Sequence, residues 1–490
     1  MGNCTILVVD CNSTEGRRIN ATCNNLNYPA AGAAHTPLLR WLPAEYNQTA
    51  EDVFDPRLSK AGNALPPCRA VRQAFLSDGS VSDQNITSLA THLMVGFFTD
   101  FTTTSDTSNY VYWRTTCCTA AGKNEPMCYP LTVADDDRTH RFNNIRCLNM
   151  TRPQTYATSG CCPSTITPLR MVGATSQMDV SYVYGNVEDA RRSYTGGNLS
   201  VEYVNGRAFP DTSKEKAFSE GSYANCTTFA DNYNETLRPG VHLEFMAAMR
   251  VLHLMQDSII RLYDTDGNYV KSYPATNLTT GISYVKESDN IIYFIQSSIR
   301  QPCAKIKDDI CDSDLTNVGL GALQVSNDIL SNDLCKTRLQ GIPSYVKLRK
   351  LLFGDSISSF DDLQGITTPE GIEKMQEVYE DVEDVDALVG IWTEIFEDDV
   401  FVWPSLAKLI KWELLYQSKS DRFFFERPNR PNAFTTDQLA EIRKATAARL
   451  MCDIGDSVTE VQPSAFEVIS DCNPLTSCDD IPAIDYSVWT

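Results

Sequence analysis

The chain has 490 residues, 42% of them hydrophobic, and a formal net charge of −21 at pH 7. That length suits one large domain or two to three ordinary ones. The acidic balance argues against nucleic acid, whose phosphates demand basic patches, and against docking on an anionic membrane surface.

Seventeen cysteines are too many for a reduced cytosolic chain without zinc motifs, and no paired Cys-X-X-Cys spacing occurs. The composition therefore reads as a disulfide framework made in an oxidising compartment. Cys117-Cys118 and Cys161-Cys162 are vicinal pairs that bridge outward to other cysteines, and the odd count leaves at least one thiol free or bonded to another chain. Asn-X-Ser/Thr sequons occur at Asn3, Asn12, Asn20, Asn47, Asn85, Asn149, Asn198, Asn225, Asn234 and Asn277, all before residue 280. This places glycans on the N-terminal part and leaves the C-terminal part for packing or partners. No leader is recognisable, because the apolar run Ile6 to Val9 ends at Asp10. Numbering that starts after a removed signal accounts for this. No apolar run approaches transmembrane length. The expectation is a secreted glycoprotein, with no nucleic acid and no membrane span.

In chain order, residues 1–65 are loop-rich and include Cys23-Asn24-Asn25-Leu26 and GAAHTPLLRWLPAEY from Gly32 to Tyr46. A short helix is expected over 68–78 and a second from Ser88 to Asp100 (SLATHLMVGFFTD). Residues 117–165 are rich in cysteine. In Ala174 to Asn186 (ATSQMDVSYVYGN), Thr175, Gln177, Asp179 and Ser181 alternate, so an extended segment points them one way. Their oxygens are the hard ligands that Ca²⁺ requires. Tyr233 to Asp266 reads as one amphipathic helix after a Pro239-Gly240 start signal. Met246, Met249, Arg250, His253 and Gln256-Asp257 fall three or four residues apart in it. Asp264 to Asn268 is a turn and not an EF-hand loop, since its glycine is misplaced and the closing Glu is missing. The acidic runs at 380–386 and 397–399 read as solvated faces.

Several of these stretches together resemble the animal haem peroxidases (the myeloperoxidase, peroxidasin and peroxinectin superfamily). The family's proximal helix has Glu-Phe, then Arg, then His, then Leu-Tyr-Asp and an Asp-Gly turn. The chain has Glu244-Phe245, Arg250, His253, Leu262-Tyr263-Asp264 and Asp266-Gly267. Asp333 to Tyr345 (DLCKTRLQGIPSY) is similar to Asn-Ile-Gln-Arg-X-Arg-Asp-His-Gly-Leu-Pro-X-Tyr. Phe360 to Leu363, Tyr379 to Gly390, Asp421 to Glu426, Phe434 to Asp453 and Val461 to Phe466 resemble later family segments. The resemblance runs from about residue 15 to the C-terminus.

The resemblance implies a mainly α, disulfide-bonded, haem peroxidase-like single domain over 1–490, with little β structure. It implies that His253, with Arg250 and Asp333 beside it, is the candidate residue for haem or another ligand, Asp333 standing where the family has asparagine, whereas helix spacing alone reads His253 as a packed core histidine. It implies a Cys452–Cys478 disulfide, and a calcium site of Asp100 with Thr175, Gln177, Asp179 and Ser181. The distal motif Asp-His-Asp-Leu-Thr corresponds to Phe98-Thr99-Asp100-Phe101-Thr102, so the haem-linking carboxylate is Phe98 and the acid-base histidine is Thr99. Threonine cannot shuttle a proton near neutral pH. His92 lies two turns earlier, about 10 Å along the axis, and His35 stands where the family usually has none. The segment with the family's catalytic arginine is not recognisable, and an internal deletion is expected near 229–233. The reading is therefore a pseudoenzyme that serves as a binding, adhesion or matrix protein with structural Ca²⁺. One alternative is a carrier of haem or another apolar ligand or pigment in the remnant cavity. The other is a residual haem-dependent peroxidase. The expected partner is a protein or a small apolar ligand, with a homo-oligomer left open.

Overall fold

The computed structural model describes residues 9–34, 36–50, 53–79, 81–102, 117–125, 128–142, 145–153, 201–204, 207–210, 232–278, 282–306, 310–311, 328–396, 402–428, 430 and 432–489. Helix dominates them. The longer helices are α1 (Cys68–Phe75), α2 (Ser88–Thr102), α3 (Leu243–Met249), α4 (Asn290–Arg300), α5 (Ile329–Leu339) and α6 (Tyr345–Phe353). They continue with α7 (Pro369–Val378), α8 (Ala387–Trp392), α9 (Pro404–Ser420), α10 (Thr436–Ile442) and α11 (Ala447–Ile454). Strands among the described residues pair only two at a time.

The helix ends follow local chemistry. The Asp328 carboxylate accepts the Ser331 N–H at 2.9 Å and starts α5. Thr368 caps α7 and Pro369 opens it. Thr435 and Gln438 form a capping box at α10. Gly354, at φ 79°, ends α6 in the left-handed conformation that glycine adopts without cost.

The stretch from Tyr233 to Asp266 is not one helix. Its helical part is α3, followed without a break by a 3₁₀ segment, Arg250–Met255. The Asp257 side chain then accepts the Ile259 N–H at 3.0 Å, a turn that competes with further helix. Ile259–Tyr263 and Tyr269–Pro274 form an antiparallel hairpin. β-Branched Ile259 and Ile260 suit a strand, and Ile260 and Leu262 are buried while their neighbours are half-exposed. The turn between the strands is built by Asp264, whose carboxylate accepts Asp266 and Asn268 N–H, with Gly267 at φ 82°.

All seven residues of α3 are buried, so this helix is the centre of the main core rather than a surface element. It packs against α8 and α9, and the 3₁₀ segment packs against α2 and α5. Leu243 and Phe245 are 0% exposed, each burial stabilising by about 1.5–3 kcal/mol. Glu244 is buried but satisfied, since its carboxylate accepts Trp41 N–H and Leu42 N–H, each at 3.1 Å. This ties the N-terminal loops to the core.

The disulfide Cys452–Cys478 is present, as the resemblance implied, and the vicinal pair bridges outward as Cys117–Cys128 and Cys118–Cys147. Cys11–Cys23 and Cys68–Cys335 complete the set among the described residues, where Cys303 and Cys472 are free. The acidic run at 380–386 is not simply a solvated face. Asp384 and Asp386 are 2% and 4% exposed. Both Asp386 oxygens accept from Arg338, at 2.9 and 2.6 Å, and Tyr379 donates to the same carboxylate. A pairing partner 48 positions away cannot be seen in a local charge pattern. Residues 397–399 lie outside the described residues.

Candidate haem-ligand site

A 3₁₀ helix has three residues per turn, so side chains at i and i+3 eclipse. Arg250 and His253 are three apart at the start and middle of such a segment. The tightening that ends α3 therefore stacks the guanidinium and the imidazole on one face. That face meets α5, which presents Asp333. His253 Nδ1 lies 2.5 Å from Asp333 Oδ2, and Arg250 Nη1 donates to Asp333 Oδ1 at 3.1 Å. The structure thus brings together the three residues that the sequence singled out, from segments 80 positions apart.

Asp333 as a whole residue is 3% exposed. Burial by itself would push its pKa up, but His253 and Arg250 outweigh that and hold it below the ordinary value. An ionised carboxylate only accepts hydrogen bonds, so the proton between the two groups sits on Nδ1. In the neutral ring with its proton on Nδ1, Nε2 carries the lone pair. The His253 side chain keeps 36% exposure, against 5% for Asp333, and Nε2 has no hydrogen-bond partner among the described residues. Asp333 does not cap its helix, because Asp328 does that.

Rigid supports stand behind α5. Arg69 and Arg72, on α1, both donate to Asp328, and Arg69 also donates to Asp137 at 2.9 and 3.2 Å. Both guanidiniums and both carboxylates are buried. The Asp137 carboxyl is opposed by burial but held well below its usual range by Arg69 and by backbone N–H groups of His140 and Thr139. The Cys68–Cys335 disulfide joins α1 to α5 two residues beyond Asp333. Sequence reading did not find this bridge. Its separation of 267 residues leaves no local signal.

The donor set fits the haem that the resemblance implies. An imidazole whose Nδ1–H is held by a carboxylate, with Nε2 open, is the arrangement of a metal-ligating histidine. Arg250 Nε is a buried donor with no partner among the described residues.

Other candidates are less fully placed. Phe98, Thr99 and Asp100 fall in the last turns of α2, but their side chains lie outside the described residues. α2 itself lies against the 3₁₀ segment, with Thr91 Oγ1 donating to Met255 O at 3.5 Å. His92 is exposed, and His35, Thr175, Gln177, Asp179 and Ser181 lie outside the described residues. Of the sequons, Asn12, Asn85, Asn234 and Asn277 are exposed, and Asn20 and Asn47 half-buried. Asn149 is 5% exposed and its side-chain oxygen accepts the Cys117 N–H at 2.7 Å, so it is not presented as a glycan acceptor in the folded chain. Asn3, Asn198 and Asn225 lie outside the described residues.

A second histidine pair went unnoticed in the sequence. His242 Nδ1 lies 2.9 Å from Glu413 Oε2, and Trp41 stacks on the ring at 4.0 Å and 8°. Gln417 donates to the other Glu413 oxygen. Both partners are buried, so the pair anchors the entry to α3 on α9.

A sequence model of the family described as animal haem peroxidase matches residues 16–232 and 214–466. The chain is 23% identical to a peroxidase of Drosophila melanogaster over 585 aligned positions, covering 98% of this chain and 83% of the relative. That alignment is longer than the 490-residue chain, so the relative carries residues that this chain lacks. Identity to a chorion peroxidase of the same fly is 24%, covering 96% of this chain and 70% of the relative. Among solved structures, peroxidase A from Dictyostelium discoideum superposes with a TM-score of 0.68 at 17% identity, covering 93% of this chain and all of that one. A fatty acid alpha-dioxygenase from Oryza sativa gives 0.66 at 14%, covering 93% of this chain and 87% of that one. At such identities the structural likeness concerns the fold alone. With a family model matching most of its length and a mainly helical, disulfide-bonded fold of the same kind, the chain belongs to the animal haem peroxidase family.

Proposed function

We propose that this protein is a secreted, haem-binding member of the family in which peroxide turnover is lost or strongly reduced, so that its role is one of binding. The observation that carries the reading is the His253–Asp333–Arg250 constellation. His253 Nε2 would hold the iron, while Asp333 faces Nδ1 and fixes the ring and Arg250 donates to the second carboxylate oxygen. Bound haem would supply an iron centre able to exchange electrons with an oxidant. Loss of turnover follows from the distal helix sequence. Thr99 stands at the acid-base position and cannot take or return a proton near neutral pH, and Phe98 removes a haem-linking carboxylate. A shortening near 229–233, taking the arginine region with it, agrees with this. Secretion is supported by five disulfides among the described residues, and by the absence among those residues of a helix long and apolar enough to cross a membrane. A structural Ca²⁺ held by Asp100, Thr175, Gln177, Asp179 and Ser181 belongs to the same reading.

The test is a visible absorption spectrum and metal analysis of the full chain purified from a secreting host. A Soret band that disappears in His253→Ala, bound calcium, and background turnover of peroxide with a phenolic donor are expected. A colourless protein that takes up no added haemin would overturn haem binding and leave an apo scaffold. Turnover well above background would overturn the loss of catalysis.

A further inference from the structure

The net charge of −21 is not spread evenly over the chain. Glu370, Glu373 and Glu377 line an exposed side of α7. The opposite sign gathers where α9 meets the end of α6. α9 buries Leu406, Leu409, Glu413 and Gln417 on one side. Its other side carries Lys408, Lys411, Trp412 and Leu415, at the three- and four-residue spacing of one helix face. From Lys408 to Leu415 this face runs about 10 Å along the axis. Lys408 Nζ stands 4.6 Å from the centre of the Phe353 ring and 6.0 Å from that of Trp412, which brings the last residue of α6 onto the same face. Lys350, one turn before Phe353 and exposed, adds a third ammonium group.

These lysines are uncommitted. Arg349, which also lies over Phe353, is neutralised by Asp355 at 2.7 Å and Glu394 at 3.2 Å, and Lys347 is paired with Glu45. Lys350, Lys408 and Lys411 have no carboxylate partner among the described residues. The face is also clear of this chain's own sequons. None falls after Asn277, and Asn234 reaches α9 only at its last turn, donating its N–H to Lys419 O at 2.9 Å.

We propose that this α6–α9 face binds a sulfated polysaccharide, with Lys350, Lys408 and Lys411 taking sulfate groups and the Phe353 and Trp412 rings flanking the sugar. The inference rests on the secreted reading and is independent of haem. Charge complementarity selects a polyanion, and the shape of the face selects its class. A protein partner needs a buried apolar core over about 800 Å² per side. Here Phe353 and Leu415, 38% and 44% exposed, are the large apolar side chains on offer. Anionic lipid belongs to the cytoplasmic leaflet, which a secreted chain does not meet. A row of free ammonium groups set beside rings suits a linear chain of repeating anionic sugars.

The experiment passes the full-length protein, collected from the medium of a secreting host, over immobilised heparin and measures affinity from physiological salt upward. It is repeated with Lys350→Gln/Lys411→Gln and with the control Lys60→Gln/Lys444→Gln. The control removes the same charge from lysines already paired with Asp381, Glu383 and Glu441. Surface substitutions of this kind leave the fold intact. The wild type is expected to bind heparin, less tightly as salt rises. The first variant is expected to bind about 25-fold more weakly, from roughly fivefold per lysine facing a polyanion, and the control within about twofold of wild type. A wild type that does not bind heparin at physiological salt would overturn the proposal. Equal weakening in both variants would also do so, since net charge and not this face would then be responsible. Tighter binding of polyglutamate or of phosphatidylserine vesicles than of heparin would overturn the assignment to a glycan, in favour of an acidic protein or a membrane. Presence of the chain in the medium reads secretion and retention on heparin reads the face, so the two readings fail separately.

Discussion

Replacing Asp328 tests whether the buried ion cluster behind α5 holds the site. Asp328 is 0% exposed, and its Oδ2 accepts from Arg69 Nη1 at 2.5 Å and from Arg72 Nε at 3.2 Å, while Oδ1 caps α5 through Ser331 N–H at 2.9 Å. Asp328→Asn keeps an oxygen for the cap but removes the charge between two buried guanidiniums. Breaking a buried pair by deleting one partner costs about 3–5 kcal/mol. Here Arg69 retains Asp137 and Arg72 retains Asp78, so the lower end, about 3 kcal/mol, applies. Asp328→Ala also loses the cap, which adds about 1 kcal/mol. Guanidinium unfolding with the disulfides intact reads both values as shifts of midpoint at constant slope. Because α5 carries Asp333, haemin affinity should fall in parallel. A loss below about 1 kcal/mol in Asp328→Asn would refute the claim that this cluster fixes α5, because that is the range of a surface pair. So would equal losses in the two variants.

Two further outcomes follow from other parts of the core. A Cβ on Gly390 would lie 2.0 to 2.5 Å from the ring of Tyr345, inside the buried α6–α8 contact, so Gly390→Ala is expected to destabilise by about 3 kcal/mol or more and to reduce secreted yield. A wild-type melting temperature in that variant would show that the two helices can part without cost. In acid, the Asp386 carboxyl matters. Burial opposes its ionisation, but Arg338 prevails and holds its pKa below the ordinary value. A depressed acid contributes stability that is fully present above the unfolded value, about pH 3.9, and is lost as pH falls through the folded value. The stability gap between wild type and Asp386→Asn should therefore stay constant from about pH 5 to 7 and narrow below about pH 4. A gap independent of pH down to 3 would contradict the assignment.

Much of the fold and the core of the site could be read from the sequence alone. Glu244-Phe245, Arg250, His253 and Asp333 were recognisable as candidates through their resemblance to the family's ordered motifs, whereas helix spacing alone reads His253 as a packed core histidine. The cysteine count pointed to a disulfide framework, and the motif order pointed to a mainly helical chain. What the sequence could not decide were outcomes of competition between distant groups. Periodicity from Tyr233 to Asp266 suits a helix, but the Asp257 turn and the packing of the Ile259–Tyr263 strand against α4, with Ile260 and Leu262 buried, made its second half a hairpin. The acidic run near 386 looks solvated until Arg338 arrives from another helix. The Cys68–Cys335 bridge, the Arg69–Asp328 pair and the His242–Glu413 pair join positions 267, 259 and 171 residues apart, which no local pattern encodes. Above all, sequence supplied His253 and Asp333 as candidates, and only tertiary packing put a buried carboxylate on the imidazole. Two charges far apart in the chain acquire chemistry only when the fold removes the water between them.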